Sequence, residues 1–287
     1  MADLFDKCSR GTSARAREAI EQGWYPYFKA IDSGADTEVY IKGHKLIMIG
    51  SNNYLGLTQD PRVKKAAVDA IERFGSGCTG SRFLNGTLAL HEELETRLAE
   101  FMKTEAVLIF STGFTTNQGT ISALVGRKDL VVGDNENHAS IVDGTRLAFG
   151  KALKYRHNDM NDLDRVLSNN KKADQGALIV TDGVFSMGGD IVDLPNLVKT
   201  AKKHGARVMV DDAHSLGVLG AHGRGTAEHF GVDDQVDLIM GTFSKSFASI
   251  GGFIAGPEDV VHYIKHTSRA LIFQASPPPA AVASVLA

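Results

Sequence analysis

The sequence predicts an α/β protein built on a mostly parallel sheet with helices on both faces. Short apolar runs alternate with amphipathic helical stretches along nearly the whole chain, the pattern that βαβ units leave. No repeat or low-complexity segment interrupts that alternation. The informative polar residues fall directly after apolar runs, and in such sheets sites gather at the C-terminal ends of strands. At 287 residues and 43% hydrophobic content the chain has ample material for a core, as one large domain or two smaller ones.

Taken in order, residues 1 to about 30 are expected to be helical and polar, with Ser13–Gln22 rich in Ala, Arg and Glu before Gly23 stops the pattern. The aromatic cluster Trp24–Phe28 suits a domain or subunit contact. Glu38–Ile41 and Lys45–Ile49 flank Gly43 and His44 as a hairpin. The loop Ser51–Gly56 follows, and its Asn52 and Tyr54 are candidates for the substrate side. Pro61–Phe74 has helical apolar spacing with proline in the first turn. Gly75–Thr87 is a long loop dense in glycine and hydroxyls, a length usually functional in a compact domain; Ser81 is its substrate-side candidate. Leu88–Met102 is an amphipathic helix and Ala106–Phe110 a buried strand. That strand runs into Ser111–Gly119 and a helix, whose unpaired N–H groups and dipole make a phosphate seat.

Further units follow at Leu130–Val132, a helix from Ala139, Ala152–Tyr155, Met160–Leu167, Ala177–Val180, Leu194–His204 and Arg207–Val210. The last apolar segments are Val236–Met240 and Gly251–Ala255, followed by a helix after Pro279.

Composition excludes several function classes. With 31 basic and 34 acidic residues the net charge is -3, so no strong field draws the chain to nucleic acid or an anionic membrane. Cys8 and Cys78 make neither a disulfide framework nor a metal site, and a reducing cytoplasm fits them. No apolar stretch approaches the ~18 residues of a membrane span, and Met1–Lys7 has no leader pattern. A soluble enzyme without metal is the expectation.

The chemical centre is Gly241-Thr242-Phe243-Ser244-Lys245-Ser246, between two apolar segments. A lysine amine attacks an aldehyde only when its pKa is lowered or its charge removed. Thr242 and Ser244 supply hydroxyls for a phosphate, and Gly251-Gly252 lets backbone approach a flat ligand. These residues suit a pyridoxal-phosphate lysine; the alternative is a lysine snorkelling from a strand end. A Walker-type loop needs glycine directly before the lysine, where Ser244 stands. His138, after one strand, can stack on an aromatic cofactor or serve as a cap. Asp211, after another, is costly unless it meets a positive charge such as a protonated pyridine nitrogen; its alternative is an ordinary cap. Asp182–Met187 closes a third strand.

Together Gly50–Gly56, Asn137–Ile141, Asp211–Gly217, Gly241–Ser246 and Ala275-Ser276-Pro277 give a chain that resembles the α-oxoamine synthases, over essentially its whole length. These fold-type I pyridoxal-phosphate enzymes condense an amino acid with an acyl-CoA and release carbon dioxide. The resemblance implies that Lys245 carries the cofactor and moves the Cα proton, and that Asp211 pairs with the pyridinium nitrogen. It implies that His138 stacks on the ring and orients the carboxylate or polarises the thioester. Ser186 and His214 would then lie near the ring hydroxyl, and Gly113 and Phe114 backbone groups, with Thr242 and Ser244, would hold the phosphate.

The motifs, Gly80–Thr87 and Gly241–Ser246 above all, are most similar to the branch that takes L-serine and a long-chain acyl-CoA. Sister members make aminoketobutyrate, aminolevulinate or aminooxononanoate. A homodimer in the cytoplasm is implied, with a peripheral position at the inner membrane suggested by an apolar product, although no basic amphipathic helix supports an anchor. The expected layout is an arm and hairpin over residues 1–50 and a cofactor-binding large domain over 51–287. The family continues into a smaller C-terminal domain whose arginine clamps the substrate carboxylate, and the sequence stops at Ala287. Weak or absent synthase activity and an exposed apolar face are therefore expected. Gln274 stands where the family often has a hydroxyl reaching a neighbouring subunit's phosphate, so that contact is not carried over. A non-catalytic partner subunit is the competing class, and retention of Lys245, Asp211 and His138 argues against it.

Overall fold

The structure, a computed structural model, describes residues 3–287. The chain divides into two compact units, one ending at Ile49 and one running Gly50–Ala287. In the first, helix α1 (Thr12–Glu21) follows a 3-10 turn at Asp6–Ser9. The helix stops before Gly23, which takes a left-handed φ of 78°, as its composition suggests, but it does not fill residues 1 to about 30, since no helix resumes before the hairpin. Tyr25 packs edge-on to Tyr27 with centroids 5.6 Å apart, while Trp24, Tyr27 and Phe28 stay exposed. Strands β1 (Glu38–Ile41) and β2 (His44–Ile47) pair antiparallel. Lys42 and Gly43 form their turn with φ of 50° and 78°, the left-handed pair that matches strand twist. The second strand ends two residues earlier than its apolar pattern, although Met48 N–H still bonds Thr37 O at 2.8 Å, one step beyond the Glu38–Ile47 pair.

The second unit opens with helices α2 (Pro61–Phe74) and α3 (Ala89–Met102). Asp60 caps α2 by accepting from Arg62 N–H, with Pro61 in the first turn. Then come β3 (Ala106–Phe110), α4 (Gly113–Leu124), β4 (Leu130–Asp134), α5 (Ala139–Leu147), β5 (Lys151–Tyr155), α6 (Met160–Asn170), β6 (Ala177–Asp182), α7 (Leu194–His204) and β7 (Arg207–Asp211). The chain continues through α8 (Thr226–Phe230), β8 (Leu238–Thr242), β9 (Gly252–Gly256), α9 (Glu258–Thr267), α10 (Arg269–Ile272) and α11 (Pro279–Leu286). The seven-stranded sheet has the order β3-β9-β8-β7-β6-β4-β5, and only β9 runs against the rest. The α/β architecture with a mostly parallel sheet is as expected.

Strand alternation divides the core. Val107, Ile109, Val132, Ile179, Val208, Val210 and Ile239 face α3, α6, α7 and α11. Leu108, Phe110, Val131, Leu178, Val180, Met209 and Met240 face α4, α5 and α9. Strands covered on both sides are largely apolar, and β4 and β6 are buried at every position, including their closing Asp134, Thr181 and Asp182. The edge strand β5 instead exposes Lys151 and Lys154, charges that block further pairing.

Candidate active site

The same alternation selects which strand-end side chains meet. Continuing the parity of Val180, Met209 and Met240 places Asp182, Asp211 and Thr242 on the α4/α5 face, at the C-terminal ends of β6, β7 and β8. Both aspartates are the last residues of their strands rather than the first of the loops. They converge with the N-termini of α4 and α5 on a cavity of about 330 Å³. Gly113, Phe114, His138, Ser186, Asp211, His214, Thr242, Ser244 and Lys245 all line it.

At one wall Thr112 caps α4, accepting from Thr115 N–H at 3.1 Å. The N–H groups of Gly113 and Phe114 come earlier in that turn and have no intrahelical partner. The Thr242 and Ser244 hydroxyls are 2.9 Å apart beside them. Glycine is required at 113: a Cβ there would lie 2.7 Å from Thr242 Oγ1.

Across the cavity Asp211 is buried. Its Oδ2 accepts from Asn117 Nδ2 at 2.7 Å and its Oδ1 from Ala213 N–H at 3.0 Å. The next residue points the other way. Asp212 is fully enclosed, accepting from Ser215 Oγ, Thr226 Oγ1 and Thr226 N–H. Burial pushes its carboxyl up to about 6 against those hydrogen bonds. It ties β7 to α8 and leaves the cavity to Asp211.

Lys245 is half-buried on the turn after β8. Desolvation lowers its amine pKa, opposed by the charges of Asp211 and Asp182. His214 is pushed down to about 4, by burial first and then by the Lys245 charge, so its imidazole is neutral at physiological pH. Burial, with the Asp211 charge next, raises the Asp182 carboxyl. The His138 backbone N–H donates to Asp182 Oδ2 at 2.9 Å. Phe114 meets the His138 ring edge-on, centroids 6.2 Å apart.

An amine of lowered pKa, a buried carboxylate, an imidazole kept neutral by burial and the helix-start N–H and hydroxyl groups thus face one volume. The family profile described as Aminotransferase class I and II matches residues 44–287. The chain belongs to the aminotransferase class I and II family. Among curated members of this family, it is 57% identical over 269 residues to a serine palmitoyltransferase of Sphingobacterium spiritivorum, covering 94% of this chain and 67% of that one. It is 44% identical over 272 residues to an 8-amino-7-oxononanoate synthase of Alkaliphilus metalliredigens, covering 95% and 69%. A solved serine palmitoyltransferase from S. paucimobilis, with bound PLP-myriocin aldimine, superposes with a TM-score of 0.95 at 40% identity, over 99% of this chain and 71% of that one. The chain spans about two thirds of the length of these curated relatives.

The substrate-side candidates fall elsewhere. Tyr54 reaches the family's cavity only through His214, its hydroxyl lying 2.6 Å from His214 Nδ1. Asn52 stands behind Tyr54, its Oδ1 accepting the phenol at 3.3 Å. Neither lines the cavity, nor does Ser81, whose hydroxyl is buried without a partner beside the bridge to Ala275. Sequence reasoning missed Asn117, Ser140 and Asp182. Asp182 had a signal, an aspartate closing an apolar run in the strand beside Asp211. Ser140 stood inside the Asn137–Ile141 motif without a role of its own, and Asn117 had no signal, because the inward face of a helix is set by packing.

Proposed function

We propose that this cavity holds pyridoxal 5'-phosphate and that the chain joins L-serine to a long-chain acyl-CoA. CoA and carbon dioxide are released and 3-ketodihydrosphingosine is formed, the entry to sphingolipids. The observation that carries the proposal is the placing of Lys245, Asp211 and the α4 N-terminus on three sides of one cavity. The residues present fit the cofactor. The open N–H groups of Gly113 and Phe114 with the Thr242 and Ser244 hydroxyls suit a phosphate, and their seat exists only because residue 113 has no Cβ. Buried Asp211 suits a protonated ring nitrogen.

When bound, pyridoxal phosphate supplies an aldehyde carbon and a ring that accepts electron density from an amino acid's Cα. The protein's own tasks follow from its geometry. Lys245, its amine pKa lowered by desolvation, takes the Cα proton and returns it. Asp211, held by Asn117 and Ala213, would accept the hydrogen bond of a ring N–H and keep that proton in place. His138, which lines the cavity, would cover one face of the ring, and His214, oriented by Tyr54, with Ser186 would serve the ring hydroxyl. The choice of serine rests on the 57% identity to a serine palmitoyltransferase, against 44% to the oxononanoate synthase.

A homodimer in the cytoplasm completes the proposal; its support is the family resemblance. Among the described residues no helix is long and apolar enough to cross a membrane. The test is a visible absorbance titration with pyridoxal phosphate, then with serine, glycine and alanine in turn. A Lys245-dependent band that responds to serine alone is expected; a band unchanged in Lys245→Ala removes the covalent role.

A further inference from the structure

We infer that Asn117 and Ser140 are positioning residues that fix His138 in its neutral Nε2–H tautomer, so that this side chain offers the cavity a hydrogen-bond donor. The inference rests on the proposed use of the cavity and deepens it by assigning His138 a protonation form.

The chain of reasoning begins at Asp211. A carboxylate only accepts hydrogen bonds, so the atom of Asn117 that lies 2.7 Å from its Oδ2 is the amide nitrogen. That orientation holds although it leaves Asn117 Oδ1 buried with no partner, because the flipped amide would set oxygen against carboxylate. The same nitrogen lies 2.9 Å from Ser140 Oγ. One amide hydrogen goes to Asp211, and the other is given to Ser140, whose oxygen therefore accepts. Ser140 then has a single hydroxyl hydrogen to place, and His138 Nδ1 lies 2.7 Å away. The Ser140 backbone N–H also points at Nδ1, at 3.3 Å. Nδ1 thus receives hydrogen bonds from two donors and carries no proton of its own. The ring proton resides on Nε2, the nitrogen with no protein partner among the described residues, on a ring that lines the cavity.

Burial makes the relay rigid. Asn117 is 0% and Ser140 1% exposed, so water does not compete for the Asn117–Asp211 and Asn117–Ser140 hydrogen bonds, while the His138 end of the relay is part-buried. Gly144 lets α5 approach α4 closely, since a Cβ there would lie 3.0 Å from Asn117 O. The relay runs from the Asp211 carboxylate to the His138 imidazole through two neutral side chains. The Nε2–H so presented suits an acceptor oxygen, either a carboxylate or a thioester carbonyl.

Histidine 15N NMR of the full-length protein, in mildly alkaline buffer without substrate, tests this, with His138→Gln assigning the signal. The wild type is expected to show His138 with Nε2 protonated and Nδ1 unprotonated. Ser140→Ala, which removes the hydroxyl donor, is expected to give a mixture of tautomers and to lower kcat/KM about tenfold, the scale of one hydrogen bond. A wild-type His138 protonated at Nδ1 overturns the inference, and needs no variant to fold. An unchanged Nε2–H signal in both Ser140→Ala and Asn117→Leu overturns the role of these two residues. Because the tautomer is read without substrate, a failed serine assay removes the proposed reaction and leaves this result standing.

Discussion

Asp182 and Asp211 are register partners on the parallel strands β6 and β7, so two buried carboxyl groups sit side by side at one end of the sheet. They do not share one environment. Asp211 accepts from Asn117 and Ala213, whereas the Asp182 carboxyl accepts from the His138 backbone N–H. Burial and the Asp211 charge both favour the protonated form of Asp182.

The stability consequence has a definite sign. A carboxyl whose pKa is raised in the fold binds more protons folded than unfolded, so it lowers stability as pH climbs from its ordinary 3.8 through the raised value. Asp182→Asn keeps an oxygen for the His138 N–H and removes the ionisation. Its melting temperature is expected to equal the wild type's near about pH 4 and to exceed it increasingly towards neutral pH. A gap that stays constant with pH rules out Asp182 as the titrating group.

Much of this was legible in the sequence, and the reasons differ from element to element. β4, β6 and β7 were legible because a strand covered on both faces carries a short apolar run, and an aspartate closes each of those runs. Lys245 stood out because a charge between two buried strands needs a purpose. The short α10 is less visible, since a four-residue helix is too brief to show a period. Helix α9 was not anticipated, although Pro257, Glu258 and Asp259 mark its start and Lys265 and His266 its end. Asn117 is different in kind. Which side of α4 turns to the sheet depends on how α4 packs against β3, β9 and α5, and no local pattern encodes that.

The phosphate seat is tested by Gly113→Ala. The added Cβ would lie 2.7 Å from Thr242 Oγ1 and 2.9 Å from Thr242 Cβ, so either the helix start or the Thr242 hydroxyl must move. Alanine is otherwise at least as good as glycine in a helix, so the melting temperature has no propensity reason to fall. Affinity for pyridoxal phosphate, read by absorbance titration, is expected to drop at least about tenfold, or ~1.4 kcal/mol. Unchanged affinity places the phosphate elsewhere.

His157 links the cavity's loop to a buried carboxylate. Its Nδ1 lies 3.0 Å from Asp134 Oδ1 and its Nε2 2.9 Å from Asp190 Oδ2, with Glu136 at 3.9 Å and the ring edge-on to Phe185. Desolvation pulls the imidazole pKa down, but Asp134 and then Asp190 outweigh it and the net shift is upward. A raised histidine stabilises the fold fully below its unfolded value of 6.5, and that contribution is lost as pH rises through the folded value. His157→Ala is therefore expected to lower the melting temperature most in mildly acidic buffer and least in alkaline buffer. Hydrogen exchange at Val184–Asp190, the loop that carries Ser186, should quicken in the variant. Equal destabilisation at all pH values would reduce His157 to a packing residue.

The buried pair Arg82–Glu95 holds the Gly80–Thr87 loop to the sheet. Arg82 Nη1 and Nη2 donate to the two Glu95 oxygens at 2.9 and 3.1 Å, and Arg82 Nε donates to Thr87 Oγ1 at 3.1 Å. Glu95 Oε1 also accepts Ile109 N–H from β3 at 3.0 Å. Their side chains are only 5% and 14% exposed, so removing one partner strands the other's charge where water cannot reach it. Glu95→Ala is expected to cost about 3–5 kcal/mol in chemical denaturation, because it leaves both a guanidinium and a strand N–H unpaired. Glu95→Gln, which keeps an acceptor for Ile109 N–H but loses the charge, should fall between that variant and the wild type. A Glu95→Gln as damaging as Glu95→Ala would mean that the ion pair, and not the strand hydrogen bond, carries the whole effect.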